Sequence, residues 1–190
     1  MRVIAGTHRS RLLKTLKGRT LRPTSDRLRE TLFNVLGSAV QGARFIDLFA
    51  GTGAVGIEAL SRGASEVVFV ENHRPAAALI RRNLESLDLR SGASVLAMDA
   101  VSGLEKLARH HAPPDPPFHL AFLDPPYAQA EDYLRVLRFL ATATFWSAAA
   151  IVIAEHSRKL ELPERIGTLG RTRILRQGDA ALTFYRLVSL

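Results

Sequence analysis

Four consecutive residues, Asp124-Pro125-Pro126-Tyr127, place a carboxylate, a stiffened backbone and an aromatic ring side by side. An exocyclic amino group on guanine or adenine is a poor nucleophile because its lone pair is delocalised into the ring. A site helps by accepting hydrogen bonds from the amine, which favours pyramidal geometry. Asp124 offers one acceptor, and the Pro125 carbonyl offers a second on a backbone that Pro126 stiffens further. Tyr127 supplies a face on which an extruded base can stack. The four are the candidate catalytic group, and the reaction they suit is in-line group transfer governed by positioning. Such a tetrapeptide is expected by chance in roughly one chain per thousand. The chain holds a second copy, Asp115-Pro116-Pro117-Phe118, in a proline-rich loop before a strand, where it reads as a rigid connector.

A second chemical element is Gly51-Thr52-Gly53-Ala54-Val55-Gly56, a G-x-G-x-x-G between a strand and a helix. Glycine lets backbone approach a ligand with no Cβ in the way. Glu71 lies twenty residues beyond Gly51, the distance expected of a carboxylate that accepts bonds from ribose hydroxyls. The motif alone also fits NAD. The chain is short for a second mononucleotide half plus a substrate domain, and Asp99 falls where an adenine amino group needs an acceptor. Both features point to a nucleoside ligand without a pyrophosphate, S-adenosylmethionine.

These residues need elements that bring them together. Apolar runs at Phe45–Phe49, Val67–Val70, Val95–Met98, His119–Leu123 and Ala149–Ala154 read as five strands. Helical patterns at Val55–Leu60, Pro75–Leu87, Val101–Leu107 and Tyr133–Leu140 separate them. Within the second of these helices, Ala78, Leu79, Leu84 and Leu87 share one face. Continuous apolar strands alternating with helices indicate a doubly wound, mostly parallel α/β sheet covered on both faces. Right-handed crossovers then place every strand C-terminus on one edge, where ligands bind. Asp47, Glu71, Asp99 and Asp124 arrive at that edge one after another. Arg171–Arg176 and Ala181–Val188 flank Gln177-Gly178-Asp179, so the sheet closes in an antiparallel hairpin.

The first 30 residues carry nine Lys and Arg against two acids, while the remaining 160 are nearly neutral. Residues 2–22 suggest a short strand or hairpin and a basic loop. Thr24 or Ser25 then caps a helix presenting Leu28, Leu32, Val35 and Leu36, which stops at Gly37. The expected organisation is a basic arm and helix over residues 1–37 and a catalytic domain over 38–190. Arg9, Arg11, Lys14, Lys17, Arg19, Arg22 and Arg27 are the candidate phosphate-binding cations. The absence of cysteine excludes disulfides, thiolate metal sites and cysteine nucleophiles. No apolar run reaches the roughly 18 residues of a membrane span, and a cytoplasmic monomer without metal is expected. His110-His111 reads as a loop pair without metal-ligand spacing, and Phe145 and Trp146 as core.

The chain resembles the bacterial small-subunit (16S) ribosomal RNA guanine-N2 methyltransferases, small class I S-adenosylmethionine-dependent enzymes with a Rossmann-like fold. The resemblance covers nearly the whole chain. It rests on Leu21-Arg22-Pro23-Thr24-Ser25-Asp26-Arg27 running into Arg29-Glu30-Thr31-Leu32-Phe33-Asn34, on Asp47-Leu48-Phe49-Ala50-Gly51-Thr52-Gly53, on Glu58-Ala59-Leu60-Ser61-Arg62-Gly63, and on Asp124-Pro125-Pro126-Tyr127. It implies that Asp47, Phe49, Ala50, Gly51, Thr52 and Gly53 line the methionine part of the cofactor. Glu71, with Asn72, would hold the ribose, and Asp99, with Ala100, the adenine. Thr24 would border the same site, and Asp124 to Tyr127 would hold the guanine. The implied partner is small-subunit ribosomal RNA, free or in an assembling subunit. One departure is Ser10, which stands before Arg11 where arms of the family often carry glycine. Two other functions fit the same residues: N6-adenine methylation of DNA or RNA, and a nucleic-acid-binding module without catalysis.

Overall fold

The computed structural model describes residues 1–15, 25–111, 115–125 and 130–189. Its centre is one eight-stranded sheet. The strands are β1 (Arg44–Leu48), β2 (Glu66–Val70), β3 (Ala93–Leu96), β4 (Phe118–Leu123), β5 (Trp146–Ser157), β6 (Arg165–Ile166), β7 (Leu169–Gln177) and β8 (Ala180–Leu187). Their spatial order is β3-β2-β1-β4-β5-β8-β7-β6, parallel from β3 to β5 and antiparallel from there on. The helices are α1 (Asp26–Leu36), α2 (Ala54–Ser61), α3 (Arg74–Ser86), α4 (Ala100–His110) and α5 (Ala130–Thr142).

The strands alternate between two cores because successive side chains in a strand face opposite ways. Phe45, Phe69, Phe122 and Ile153 pack with Leu32 and Phe33 of α1, Ile57 of α2 and Ile80 of α3. Ile46, Val70, Leu123 and Ala154 pack with Leu104 of α4 and Tyr133, Val136 and Leu137 of α5. Ser25 caps α1 by accepting the Leu28 N–H at 3.1 Å, one of the two capping residues the sequence suggested.

Four sequence expectations shift. The third strand begins at Ala93 instead of Val95 because Gly92, at φ +76°, turns the chain so that its carbonyl accepts Val67 N–H, and Ala97-Met98 already leave the sheet. The fifth strand runs to Ser157, since Glu155-His156-Ser157 pair with β8 although they end the apolar run. The antiparallel part has three strands, because Arg165-Ile166 adds a short β6 beyond β7. On α3 the buried face is Ala76, Ala77, Leu79, Ile80, Asn83 and Leu84, with Ala78 only half-buried.

The N-terminal segment is bonded into this body. Arg2 and Leu12 form a single antiparallel bridge, which is the expected hairpin in its shortest form. Glu58 of α2, fully buried, accepts the N–H groups of Ile4 at 2.8 Å and Ala5 at 3.0 Å. Ser61 donates to the Ala5 carbonyl at 2.6 Å, and its own carbonyl accepts Thr7 N–H at 2.8 Å. Asn83 of α3 clamps Lys14 through both backbone groups. Ser10 sits at φ +68°, a left-handed conformation that glycine adopts without cost. Gly6, at φ +82°, lies so close to α2 that a Cβ would stand 1.8 Å from the Ser61 carbonyl oxygen. Gly6→Ala should therefore lift the arm from α2 and cost about 1–3 kcal/mol. A urea titration measures the loss, and faster amide exchange at Ile4, Ala5 and Thr7 locates it.

Candidate active site

The turn after β1 is built around backbone in unusual conformations. Phe49 has φ +57°, Gly51 +55° and Gly53 +78°. For Phe49 that conformation costs about 1–2 kcal/mol, strain of the kind that gathers at ligand sites. The three motif glycines do different work. A Cβ on Gly56 would meet the Phe69 ring at 2.3 Å, so this glycine lets α2 lie against β2. Gly53 caps α2 against Ile80. Gly51 faces open space, with its own chain's Phe49 carbonyl, at 3.9 Å, the nearest atom to an added Cβ. Of the three, Gly51 alone leaves its backbone open to an approaching group.

Glu71, buried at the end of β2, spans this turn. One oxygen accepts Gly51 N–H at 2.8 Å and the other accepts His73 N–H at 2.7 Å. Asn72 beside it is exposed. Thr52 bonds through its hydroxyl to the Met1 sulfur and through its carbonyl to Asn83, and Ala50 is half-buried. Asp99 caps α4 by accepting Val101 N–H at 3.0 Å, with Ala100 buried directly behind it. Its second oxygen meets Arg135 of α5 at 2.8 Å. Asp99 is therefore committed to a helix cap and an ion pair before any adenine arrives. Both side chains of that pair are about half exposed, so it is worth little and can yield.

The strongest electrostatic feature is a row of acids on the face that carries α1, α2 and α3. By alternation, Asp47 follows Phe45, Glu71 follows Phe69, Asp124 follows Phe122 and Glu155 follows Ile153. Leu123 pairs with Ala154 across β4 and β5, so Asp124 and Glu155 stand side by side one residue later. Burial, together with the charges of Glu155 and Asp47, pushes the Asp124 carboxyl well above the usual carboxylate range. Burial pushes Asp47 up to about 8, opposed by the hydrogen bond from Gly56 N–H and reinforced by Glu71. Sequence reasoning missed Glu155, an acid at the polar end of an otherwise apolar run. Its signal is its position directly after Ala154, at the same edge as the other acids.

Tyr133 of α5 fixes this corner from the other side of the sheet. Its buried hydroxyl bonds to the Glu155 carbonyl at 2.9 Å and to the Pro125 carbonyl at 3.3 Å. Pro125, expected as an amine acceptor, is buried and already has this partner. Thr24, Lys17, Arg19, Arg22, Pro126 and Tyr127 lie outside the described residues. Of the other arm cations, Arg9, Arg11, Lys14 and Arg27 are exposed, with Arg11 reaching the Ser86 carbonyl at 3.2 Å. Arg29, by contrast, is fully buried between Glu58, Asp26 and the Arg2 carbonyl and serves the arm's attachment.

The second D-P-P-aromatic copy lies at the opposite edge, where Arg44 binds the Pro116 carbonyl and covers the Phe118 ring. His110 and His111 close α4 instead of forming a loop, and the His111 ring packs near Phe118 and Phe145. Phe145 is core as expected, whereas Trp146 is half-buried. Among the described residues no group of three His, Asp or Glu side chains could hold a metal ion, and no helix is long and apolar enough to cross a membrane.

The buried Asp47 makes stability depend on pH. The native state keeps its proton between the ordinary value of 3.8 and about 8, while the unfolded chain releases it, so stability falls as pH rises through that window. Asp47→Asn should lessen the loss between about pH 5 and pH 8, read as urea midpoints of the two proteins.

Residues 1–186 match the family described as conserved hypothetical protein 95. A Bacillus subtilis (strain 168) protein whose name proposes an rRNA methyltransferase, YlbH, is 37% identical over 186 residues, 98% of each chain. Ribosomal RNA small subunit methyltransferase D of Haemophilus influenzae is 39% identical over 128 residues, 67% of this chain and 64% of that protein. The structure of the Escherichia coli protein yhhF, proposed as a methyltransferase, superposes with a TM-score of 0.83 at 28% identity, covering 100% of this chain and 99% of that one. The glycine turn, the acidic strand ends and the docked arm thus occur in a chain that belongs, over nearly its whole length, to the conserved hypothetical protein 95 family.

Proposed function

We propose that the protein methylates the exocyclic N2 amino group of a guanine in small-subunit ribosomal RNA, with S-adenosylmethionine as methyl donor. The observation that carries this reading is Asp124, a half-buried carboxyl held at the end of β4, across the sheet edge from the bare backbone at Gly51. The name of the Haemophilus influenzae relative supplies the RNA, and the match of residues 1–186 to one family supports carrying it over.

The donor set fits the cofactor. The backbone of Phe49 to Gly53 and Asp47 would line its methionine part, Glu71 and Asn72 would receive its ribose hydroxyls, and Asp99 with Ala100 would receive its adenine. When bound, the cofactor supplies a methyl group made electrophilic by a sulfonium. The chain's own residues act on the base. Asp124 accepts a hydrogen bond from the amine and so directs its lone pair away from the ring. Donation from the amine favours ionised Asp124, opposing the burial that raises its proton affinity. A carboxylate of raised pKa is also a competent acceptor for the proton that the methylated amine must lose. Tyr133 keeps the Pro125 and Glu155 carbonyls in place behind it. Residues 1–37 serve in this reading as an RNA-gripping extension of the catalytic domain at 38–190, with Arg9, Arg11, Lys14 and Arg27 on its exposed surface.

The defining experiment incubates the protein with labelled S-adenosylmethionine and unmodified small subunits, then identifies the nucleoside by mass spectrometry. N2-methylguanosine is expected; N6-methyladenosine, or cofactor binding without product, overturns the assignment. Asp124→Asn should lower the single-turnover rate by at least about 100-fold with cofactor affinity within a few-fold. The wild-type rate should climb with pH as the Asp124 carboxyl ionises. Neutralising Arg9, Arg11 and Lys14 together should weaken RNA binding and flatten its salt dependence by up to about three units of slope, measured by titration at several salt concentrations.

A further inference from the structure

Glu155 is 3% exposed and stands beside Asp124 on the same face of the sheet. Leu123 and Ala154 pair at the end of β4, so Asp124 follows directly beside Glu155, whose charge acts on it. On its other side Glu155 pairs with Leu182 of β8, which is fully buried. The Glu155 backbone is held by the Tyr133 hydroxyl, which also bonds to the residue following Asp124. Asp124 is the more open of the two, and Glu155 is the deeper. Two carboxyl groups thus meet at one corner of the sheet, the deeper of them beside buried Leu182.

The bases differ in what they can offer such a pair. Along its Watson–Crick edge guanine carries adjacent donors, the 2-amino group and N1–H. Adenine carries one amino donor, and its N1 is a bare acceptor that a carboxylate repels. An extruded base is read through this edge, and a site built to receive a hydrogen bond rejects an analogue that cannot supply it far more strongly than an apolar pocket rejects a change in size. We propose that Glu155 is the residue that selects guanine, accepting N1–H while Asp124 accepts the amine. This rests on the guanine-N2 reading above, and it assigns to Glu155 a separate task, recognition of the ring proton.

The test uses 2-aminopurine, which keeps the 2-amino group but has an unprotonated N1. Small-subunit RNA is joined from segments so that the nucleotide modified by the wild-type protein is either guanine or 2-aminopurine, and is assembled into subunits. The wild type should prefer guanine in kcat/KM by about 100-fold or more. Glu155→Gln, whose amide can turn its NH2 toward N1, should bring that preference below about 10-fold, mainly by losing guanine turnover. Glu155→Asp draws the carboxylate back by one methylene and should lower kcat/KM for guanine while leaving 2-aminopurine nearly unchanged, which decides the matter if Glu155→Gln fails to fold. Equal loss on both substrates in the folded variant, or a wild type indifferent to the two bases, removes the selecting role from Glu155 while leaving the reaction intact. Absence of N2-methylguanosine from wild-type protein on the guanine substrate overturns the reaction assignment, and the role of Glu155 falls with it.

Discussion

A carboxylate with no exposed surface, Glu58, ties the N-terminal segment and α1 to α2. It accepts two backbone N–H groups from the arm, pairs with Arg62 on its own helix at 2.7 Å, and faces Arg29 of α1 at 3.7 Å. Removing one partner from a buried pair costs about 3–5 kcal/mol, because the survivor is left uncompensated. Here the cost would fall on the docking of the arm, the seating of α1 and the packing of α2 at once. The glycine turn opens directly into α2, so the helix that follows this turn also receives the arm. The block Glu58-Ala59-Leu60-Ser61-Arg62-Gly63 owes its pattern to this junction, since Glu58 and Ser61 supply the side-chain bonds that the arm uses.

The acidic row is the opposite case, a local arrangement that works against folding. Burial, reinforced by neighbouring acids, raises the proton affinity of Asp124 and Asp47, and Asp47 carries that cost in the fully buried part of β1. Backbone N–H groups at Gly51, His73 and Gly56 offset part of it. Sequences that specify one structure usually agree at every level, and departures concentrate where chemistry is done. The strained Phe49 and the Asp124–Glu155 pair are two such departures, and they lie at the same sheet edge.

Much of the fold was legible because the strands are buried on both faces and so read as apolar runs, as Val67–Val70 and His119–Leu123 did. The cap at Ser25 and the acids at Asp47, Glu71, Asp99 and Asp124 were legible because turn and cap chemistry is local. Contacts between distant parts of the chain were not. Arg29 counts as one more cation in a basic arm until Glu58, 29 residues later, is seen to bury it. Asp99 reads as a free acceptor until Arg135, 36 residues on, takes its second oxygen. Glu155-His156-Ser157 end the apolar run at Ala154, yet they remain in the sheet because β8 supplies a second hydrogen-bonded neighbour. The two residues of β6 are too few to show any period.

The place of β8 has a consequence for biosynthesis. It is the last strand of the sheet to leave the ribosome, yet it belongs between β5 and β7, two strands made before it. Until residues 180–187 emerge, the long strand β5 exposes an unpaired edge, an invitation to association between nascent chains. The sheet is completed only by insertion of its latest segment, so the enzyme acquires its finished acidic corner after translation has passed Leu187, with Leu182 closing the flank of Glu155.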